Sequence, residues 1–264
     1  MTFCQGAASD CALNVVRTGR RSGALVVLVH AVGLDLTYWD RQIEALERDY
    51  DVVAFDLRGH GRSTRRESYD FDTLAGDLAS VIAQAENGPA HVVGLSVGGM
   101  IAQTLAVAQP EVVRSLSLID TTSTFADGVR IILRERAQNV RLSGMGAILQ
   151  QTLERWFSPQ FAVRRPDVLD RVAKTLLAAD KDVHAAMWDT IATLEITPRL
   201  GALRMPTMVL VGENDPTTPP AVAQAIADRV VQARFSVLPG VSHISPVEAP
   251  EVVNSHLLSF LAAC

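Results

Sequence analysis

The stretch VVGLSVGGM, residues 92–100, sets a serine between glycines at the end of an apolar run. Just upstream, AHVVGL (90–95) reads as a short strand buried on both faces. Just downstream, Ile101, Leu105 and Ala108 recur at helical spacing, and Pro110 ends the pattern. Gly94, Ser96 and Gly98 therefore spell G-x-S-x-G in a strand–turn–helix setting. There the serine sits on a sharp, strained corner, and its small neighbours let strand and helix approach each other closely. The hydroxyl is presented at the carboxyl edge of a sheet, where open α/β sheets place their ligands. The first amides of the following helix face any negative charge that forms there.

Working outward, five more apolar runs repeat the strand signal: ALVVLV (24–29), DVVAFD (51–56), VRSLSLID (113–120), PTMVLVG (206–212) and ARFSVLP (233–239). Helical patterns fall between them, in Trp39, Ile43, Leu46 and Tyr50, and in Phe71, Leu74, Leu78, Val81 and Ile82. Two more helices are expected, one after Pro219–Pro220 and one from Pro250 to Leu261. The alternation predicts an α/β fold: a mostly parallel central sheet with helices on both faces. It lapses near Asp120. From there to about Thr197 only helical patterns remain, carried by residues such as Ile131, Leu149, Leu153, Val172 and Leu176. The expected organisation is a core domain, 1–121 and 197–264, interrupted by a helical cap at 122–196.

Composition narrows the function classes. The chain has 264 residues, 48% of them hydrophobic, enough for one sizeable buried core. A net charge of −5 argues against nucleic acid as the main partner. The longest apolar runs are too short to span a bilayer, so no membrane partner is expected. The opening residues MTFCQGAASD hold no basic stretch followed by an apolar one, which reads as a cytoplasmic protein without a signal peptide. Cys4, Cys11 and Cys264 form no CxxC motif and read as free thiols, and no Cys/His cluster has metal-ligand spacing.

A serine hydroxyl needs a base to become a useful nucleophile. Of the histidines His30, His60, His91, His184, His243 and His256, the one in GVSHIS follows the last expected strand. His91 begins a strand and His256 lies inside the last helix, so both read as structural. Asp215, in VGENDPTTPP just past another strand, is the acid that would orient His243. An aspartate before proline is also a common turn former, and Asp120, at its own strand end, is the rival acid. The chain order Ser96, Asp215, His243 is that of the α/β-hydrolases. An oxyanion needs backbone N–H donors; Val97, after the serine, and Val32, in the turn VHAVGLD, are the candidates.

Over essentially its whole length the chain resembles the α/β-hydrolase superfamily, through HAVG (30–33), FDLRGHGRS (55–63), GLSVGGMIAQ (94–103), VGENDPTTPP (211–220) and GVSHIS (240–245). Within it, GLSVGGMIAQ, YWDRQIEAL and RWFSPQF (155–161) most resemble the 3-oxoadipate enol-lactonase group. The resemblance implies a serine hydrolase of carboxylic esters or lactones, with no cofactor or metal and a small-molecule ester or lactone as its partner. Homo-oligomerisation is left open. Alternatives with the same three residues are a C–C bond hydrolase and a cofactor-free, haloperoxidase-like enzyme. A ligand-binding protein on this scaffold is a third, against which the intact triad argues. In the cap, Trp156, Met187 and Trp188 are candidate pocket residues; His184, Met187 and Trp188 equally suit a packed helix face. Arg130, Arg134, Arg155 and Arg165 lie among nearly as many acids and read as a solvated surface. RGHGRS (58–63) reads as a structural turn.

Overall fold

A computed structural model describes residues 12–264. Cys4 and Cys11 lie outside the described residues; Cys264 is a free, exposed thiol. The chain runs through β1 (Val15–Gly19), β2 (Leu25–Val29), α1 (Asp40–Leu46), β3 (Asp51–Phe55), α2 (Phe71–Ala85), β4 (Ala90–Leu95), α3 (Val97–Ala108) and β5 (Val113–Ile119). Five helices follow without a strand: α4 (Asp127–Ser143), α5 (Leu149–Trp156), α6 (Pro159–Arg164), α7 (Pro166–Ala178) and α8 (Lys181–Ile191). The sheet then resumes in β6 (Thr207–Gly212), α9 (Pro220–Ala227), β7 (Arg234–Leu238), α10 (Ser245–Glu248) and α11 (Pro250–Leu261).

The seven strands form one sheet in the order β1-β3-β2-β4-β5-β6-β7, parallel except for β1. The apolar runs become strands because helices cover both faces of the sheet: every residue of β2, β3, β4 and β6 is buried. The first strand has no counterpart in the sequence reading. VVRTG is short, half-exposed and only two residues of it are apolar; it is held as an edge by antiparallel pairing of Val15 with Phe55 through Gly19 with Asp51. The Arg17 guanidinium also grips the buried Asp51 carboxylate. The helical pattern from Trp39 to Tyr50 is shorter than its spacing suggests: a 3-10 turn ends at Trp39, and α1 closes at Leu46.

The RGHGRS segment is a turn built on buried charge. Arg58 clamps Asp77 of α2 with two hydrogen bonds of 2.7 and 2.8 Å, both side chains 2% exposed. Asp56 accepts from the amides of Leu36 and Arg62 and from Asn14 Nδ2, so one carboxylate ties three segments together. His60 lies in the same buried region; burial, then the neighbouring His30, holds its pKa down to about 3.

The helices α4–α8 stand between β5 and β6, joined to the core by a narrow neck. Thr124 and Glu195 form an isolated antiparallel bridge, and the Ile196 amide donates to Ser123 O. Arg130 closes the neck, donating to the carbonyls of Phe125, Ala192 and Leu194 and pairing with Glu195 at 3.1 Å. It is thus a clasp and not solvated surface. The buried apolar side chains of these helices are continuous with those of the sheet.

Close approach at the β4–α3 corner excludes side chains there. A Cβ on Gly98 would lie 2.1 Å from Val29 O, and one on Gly94 would lie 2.4 Å from Gly98 O. Both contacts are with backbone, which cannot swing away. Gly98→Ala is therefore expected to destabilise the fold by about 3 kcal/mol or more. Gly128→Ala, where a Cβ meets nothing within 4 Å, should leave the melting temperature unchanged or raise it. Thermal melts of the two variants beside the parent check the contrast.

Candidate functional site

Ser96 occupies the corner between β4 and α3 with φ 54° and ψ −117°, a conformation that side-chain-bearing residues rarely adopt. Neighbouring bonds hold it there. The Ser96 amide donates to Ile119 O at 2.9 Å; its carbonyl accepts from Gly99 N, Met100 N and the Thr121 hydroxyl. The corner leaves Oγ at the carboxyl end of the sheet, beside the point where the strand order turns back between β2 and β4.

Two loops bring their side chains to this hydroxyl. His243, between β7 and α10, places Nε2 3.0 Å from Ser96 Oγ. Asp215, just beyond β6, places Oδ2 2.8 Å from His243 Nδ1. With Nδ1–H donating to the carboxylate, Nε2 is left as the acceptor of the serine proton. The Asp215 carboxylate is itself fixed: Oδ1 accepts from the amides of Thr217 and Thr218 at 2.7 and 3.0 Å, and Oδ2 from the Thr218 hydroxyl at 2.8 Å. Ser96, Asp215 and His243 are all buried. Burial works against the charged imidazole, but the Asp215 carboxylate outweighs it and raises the His243 pKa above its ordinary 6.5. Burial likewise opposes ionised Asp215, but His243 and the Thr218 bonds hold its pKa below 3.8.

Asp120 is not placed as the orienting acid. Its oxygens accept from Gly212 N at 3.0 Å and Ser245 N at 2.9 Å, and no hydrogen bond joins it to His243. It pins the end of β6 to the start of α10, flanking the loops that carry Asp215 and His243. Full burial, then the nearby Asp215 charge, pushes its pKa up to about 7.

The turn after β2 supplies the other side of the site. Val97 is the first residue of α3, where backbone amides lack intrahelical acceptors. Val32 lies in the turn closed by Leu34 N donating to Ala31 O, with Gly33 at φ 76°. His30 fixes this turn. Its Nε2 accepts from Leu57 N at 2.9 Å, so the proton sits on Nδ1, which donates to Ala31 O at 2.8 Å. Burial holds its pKa below the ordinary value and keeps the ring neutral. His91 bonds Ser115 within the sheet, and His256 lies in α11.

A cavity of about 420 Å³ opens over Ser96. Trp156 and Trp188, from α5 and α8, line it along with Met100 and Phe125. Met187 does not line it. One residue turns a helix by about 100°, so the neighbour of Trp188 points elsewhere, and Met187 is fully buried packing. His184 likewise serves as support, its Nε2 accepting from the Trp188 indole at 2.8 Å. Arg155 and Arg136 also border the cavity. Helical spacing carried the signal for Arg136, since it falls among Leu133, Ala137 and Val140 on the buried face of α4.

A further buried acid, Glu248, was not singled out in the sequence. It accepts from the amide and hydroxyl of Ser158 and from Ser242 N. Ile244 N donates to Trp156 O, and the Ser242 hydroxyl donates to Arg155 O at 3.2 Å. The segment 155–158 is thus laced to the loop that carries His243.

With this geometry go a family match and three likenesses. The chain belongs to the alpha/beta hydrolase fold family, whose model matches residues 24–250. It is similar to 3-oxoadipate enol-lactonase 2 of Acinetobacter baylyi, 29% identical over 248 residues that span 94% of this chain and 92% of that one. Among solved structures, the enol-lactonase from Burkholderia xenovorans LB400 superposes with a TM-score of 0.92 at 27% identity, covering 97% of this chain and 99% of that one. A malate-bound thermophilic esterase from Thermogutta terrifontis superposes with a TM-score of 0.89 at 31% identity, covering 95% and 93%. No described helix is long and apolar enough to cross a membrane.

Replacing Glu248 with alanine strands the buried donors of Ser158 and Ser242. Glu248→Ala is expected to cost about 3 kcal/mol and to lower the melting temperature by roughly 2–4 °C per kcal/mol. Glu248→Gln keeps one acceptor oxygen and should lose less. Differential scanning calorimetry of both variants checks the order.

Proposed function

We propose that the chain is a serine hydrolase that cleaves a carboxylic ester or lactone, with Ser96, His243 and Asp215 as its catalytic triad. The observation that carries the reading is the unbroken relay from Ser96 Oγ to His243 Nε2 and from His243 Nδ1 to Asp215 Oδ2, at 3.0 and 2.8 Å, beneath the cavity. The likeness to enol-lactonases supports a lactone as the leading substrate.

The chemistry follows from the donors and acceptors. Ser96 Oγ attacks the carbonyl carbon while His243 Nε2 takes its proton. Asp215 holds the imidazole in the tautomer that accepts at Nε2 and stabilises the imidazolium that forms. The amides of Val32 and Val97 take the oxyanion role, and the α3 N-terminus adds a favourable field. The imidazolium returns its proton to the leaving oxygen, giving an acyl-serine. Water, deprotonated by His243, then attacks the acyl carbon, and Ser96 leaves with the proton. In a lactone the leaving oxygen stays joined to the acyl chain throughout, so the second step releases a single ring-opened acid. The leaving group of an enol-lactone is a stabilised enolate, which needs little help from the acid. The helices α4–α8 act as a cap that excludes water and shapes the substrate end of the cavity.

Ser96→Ala should abolish ester and lactone hydrolysis by several orders of magnitude while the fold persists. A fluorophosphonate probe should label the parent and not this variant. A panel of p-nitrophenyl esters, lactones and an enol-lactone measures the rates, and near-parental turnover by Ser96→Ala would remove the triad reading.

The two buried aspartates should separate in a pH profile. Neutral His243 is the active form, so kcat/KM should fall as pH drops through a limb above 6.5. Removing the Asp215 charge lowers the His243 pKa, so Asp215→Asn should move this limb to lower pH and cut the plateau by about 10³–10⁴-fold. Asp120→Asn should shift it less and cost far less rate, since Asp120 holds backbone amides and not the imidazole. The reverse ranking would assign the orienting role to Asp120.

A further inference from the structure

His184, in the first turn of α8, is buried and uses only one of its two ring nitrogens. The Trp188 indole can only donate, and it donates to His184 Nε2 at 2.8 Å. The ring is therefore neutral with its proton on Nδ1. Burial, then the neighbouring His60 and Arg136 charges, holds its pKa down to about 3, so it stays neutral at neutral pH. The Nδ1–H is buried and has no acceptor. Native proteins keep few such stranded donors, because each one is costly. What this one faces is Gly33: a Cβ built there would lie 3.0 Å from His184 Cε1 and 3.2 Å from His184 Nδ1. The Nδ1–Cε1 edge of the ring thus rests on a glycine of the turn after β2.

That turn carries Val32. Leu34 N closes it on Ala31 O at 3.2 Å, and Gly33 holds φ 76°. The core grips the turn through His30, and the inserted helices grip it at Gly33, where Leu176 of α7 is the second contact, its Cδ2 2.7 Å from the same built Cβ. The next core loop is met in the same way. Val183 stands on Gly59, φ 71°, with Cγ1 2.7 Å from a Cβ built there. Asp180, the cap of α8, pairs with Arg65 at 2.7 Å. The first turn of α8 is therefore fitted to two glycine turns of the core. Within it, His184 alone joins the Val32 turn to Trp188, a wall of the cavity over Ser96.

We propose that His184 is a positioning residue for the reaction: it braces Gly33 with one ring edge while Nε2 holds Trp188, and so sets the Val32 amide where the oxyanion forms. This rests on the serine-hydrolase reading for what Val32 does, but not for the brace itself. Glycine populates both signs of φ about equally, so a turn built on it does not hold one conformation unaided. A flat ring on its Cα removes the space that other conformers need. A donor stabilises developing charge fully only when it is already in place. Histidine suits the position because it offers a flat edge to the glycine and an acceptor to the indole; the stranded Nδ1–H follows from that double use.

The brace should act on the transition state and not on ground-state binding. His184→Ala is expected to lower kcat for p-nitrophenyl acetate by about 10–100-fold and to leave KM within about twofold. Two inhibitors separate a set oxyanion turn from a merely supported wall. In hexyl trifluoromethyl ketone, Ser96 Oγ adds to the carbonyl carbon, its proton passes to His243, and the carbonyl oxygen becomes an oxyanion. Hexyl methyl ketone has the same chain but stays a ketone. His184→Ala should weaken the first about tenfold or more and the second less than about twofold. The Leu34 amide, read by hydrogen exchange in NMR, should exchange about tenfold faster in this variant. His184→Phe restores the flat edge without the acceptor and should recover most of kcat and of the Leu34 protection. Equal losses for the two ketones, parental Leu34 exchange in folded His184→Ala, or the same loosening in His184→Phe overturns the proposal. If the parent neither hydrolyses the ester nor binds the trifluoromethyl ketone more tightly than the methyl ketone, the serine-hydrolase reading has failed by itself, and Leu34 exchange alone decides on the brace. Should His184→Ala not fold, His184→Gln, which keeps an acceptor for Trp188 but no flat edge, takes its place with the same expected losses and the same overturning results.

Discussion

The site depends on a backbone contact with no side chain in it. Gly98 at the start of α3 sits against Val29 O at the end of β2, too close for a Cβ. That approach forces the chain between β4 and α3 into a corner, and the corner holds Ser96 at φ 54°. Such strain persists only where the surroundings over-determine it. Here they do so through the close glycines, the Ile119 carbonyl below and the Thr121 hydroxyl beside the serine. If the approach is relaxed, the hydroxyl leaves the line of His243 Nε2, and the rest of the geometry has nothing to act on.

Around that corner the polar groups form a graded support. Asp215 holds His243, and the Thr217–Thr218 turn holds Asp215. Asp120 ties the two loop bases together through Gly212 and Ser245. Glu248 and the Trp156 carbonyl tie the histidine loop to the inserted helices. The wall of the cavity and the position of the imidazole are therefore mechanically linked. The last turn of α5 meets the histidine loop directly, at Ser242 and at Ile244 on either side of His243.

Much of this was legible in the sequence because it is local. The strand runs are continuous and apolar, since both faces of the sheet are covered, and the G-x-S-x-G string names its own conformation. Each of the three residues at the relay lies just past a strand, so chain order alone brought them to one sheet edge. What escaped is non-local. The first strand has too few apolar residues to announce itself and is defined by its pairing with β3. Asp120 and Asp215 both end strands and both accept from backbone amides, and only the fold sets Asp215 Oδ2, and not Asp120, against His243 Nδ1. Met187 and Trp188 are adjacent in sequence, and only the orientation of α8 separates the packed residue from the one that lines the cavity. By composition the cap arginines, Arg130 among them, read as a surface; Arg130, and Glu248, which no motif marks, acquire their roles from what lies opposite them after the chain has folded.

The corner also limits which atoms this scaffold can employ. A residue at positive φ tolerates a side chain only if its Cβ is unbranched, because a second substituent collides with the flanking backbone. Threonine is thereby disfavoured at position 96, although it too carries a hydroxyl on Cβ. Cysteine and aspartate, both unbranched at Cβ, meet the same steric condition. The stereochemistry of one turn, fixed by the backbone of Gly98 and Val29, thus filters the side chains that position 96 can carry: an unbranched hydroxyl, thiol or carboxylate meets the condition, and a β-branched alcohol strains it.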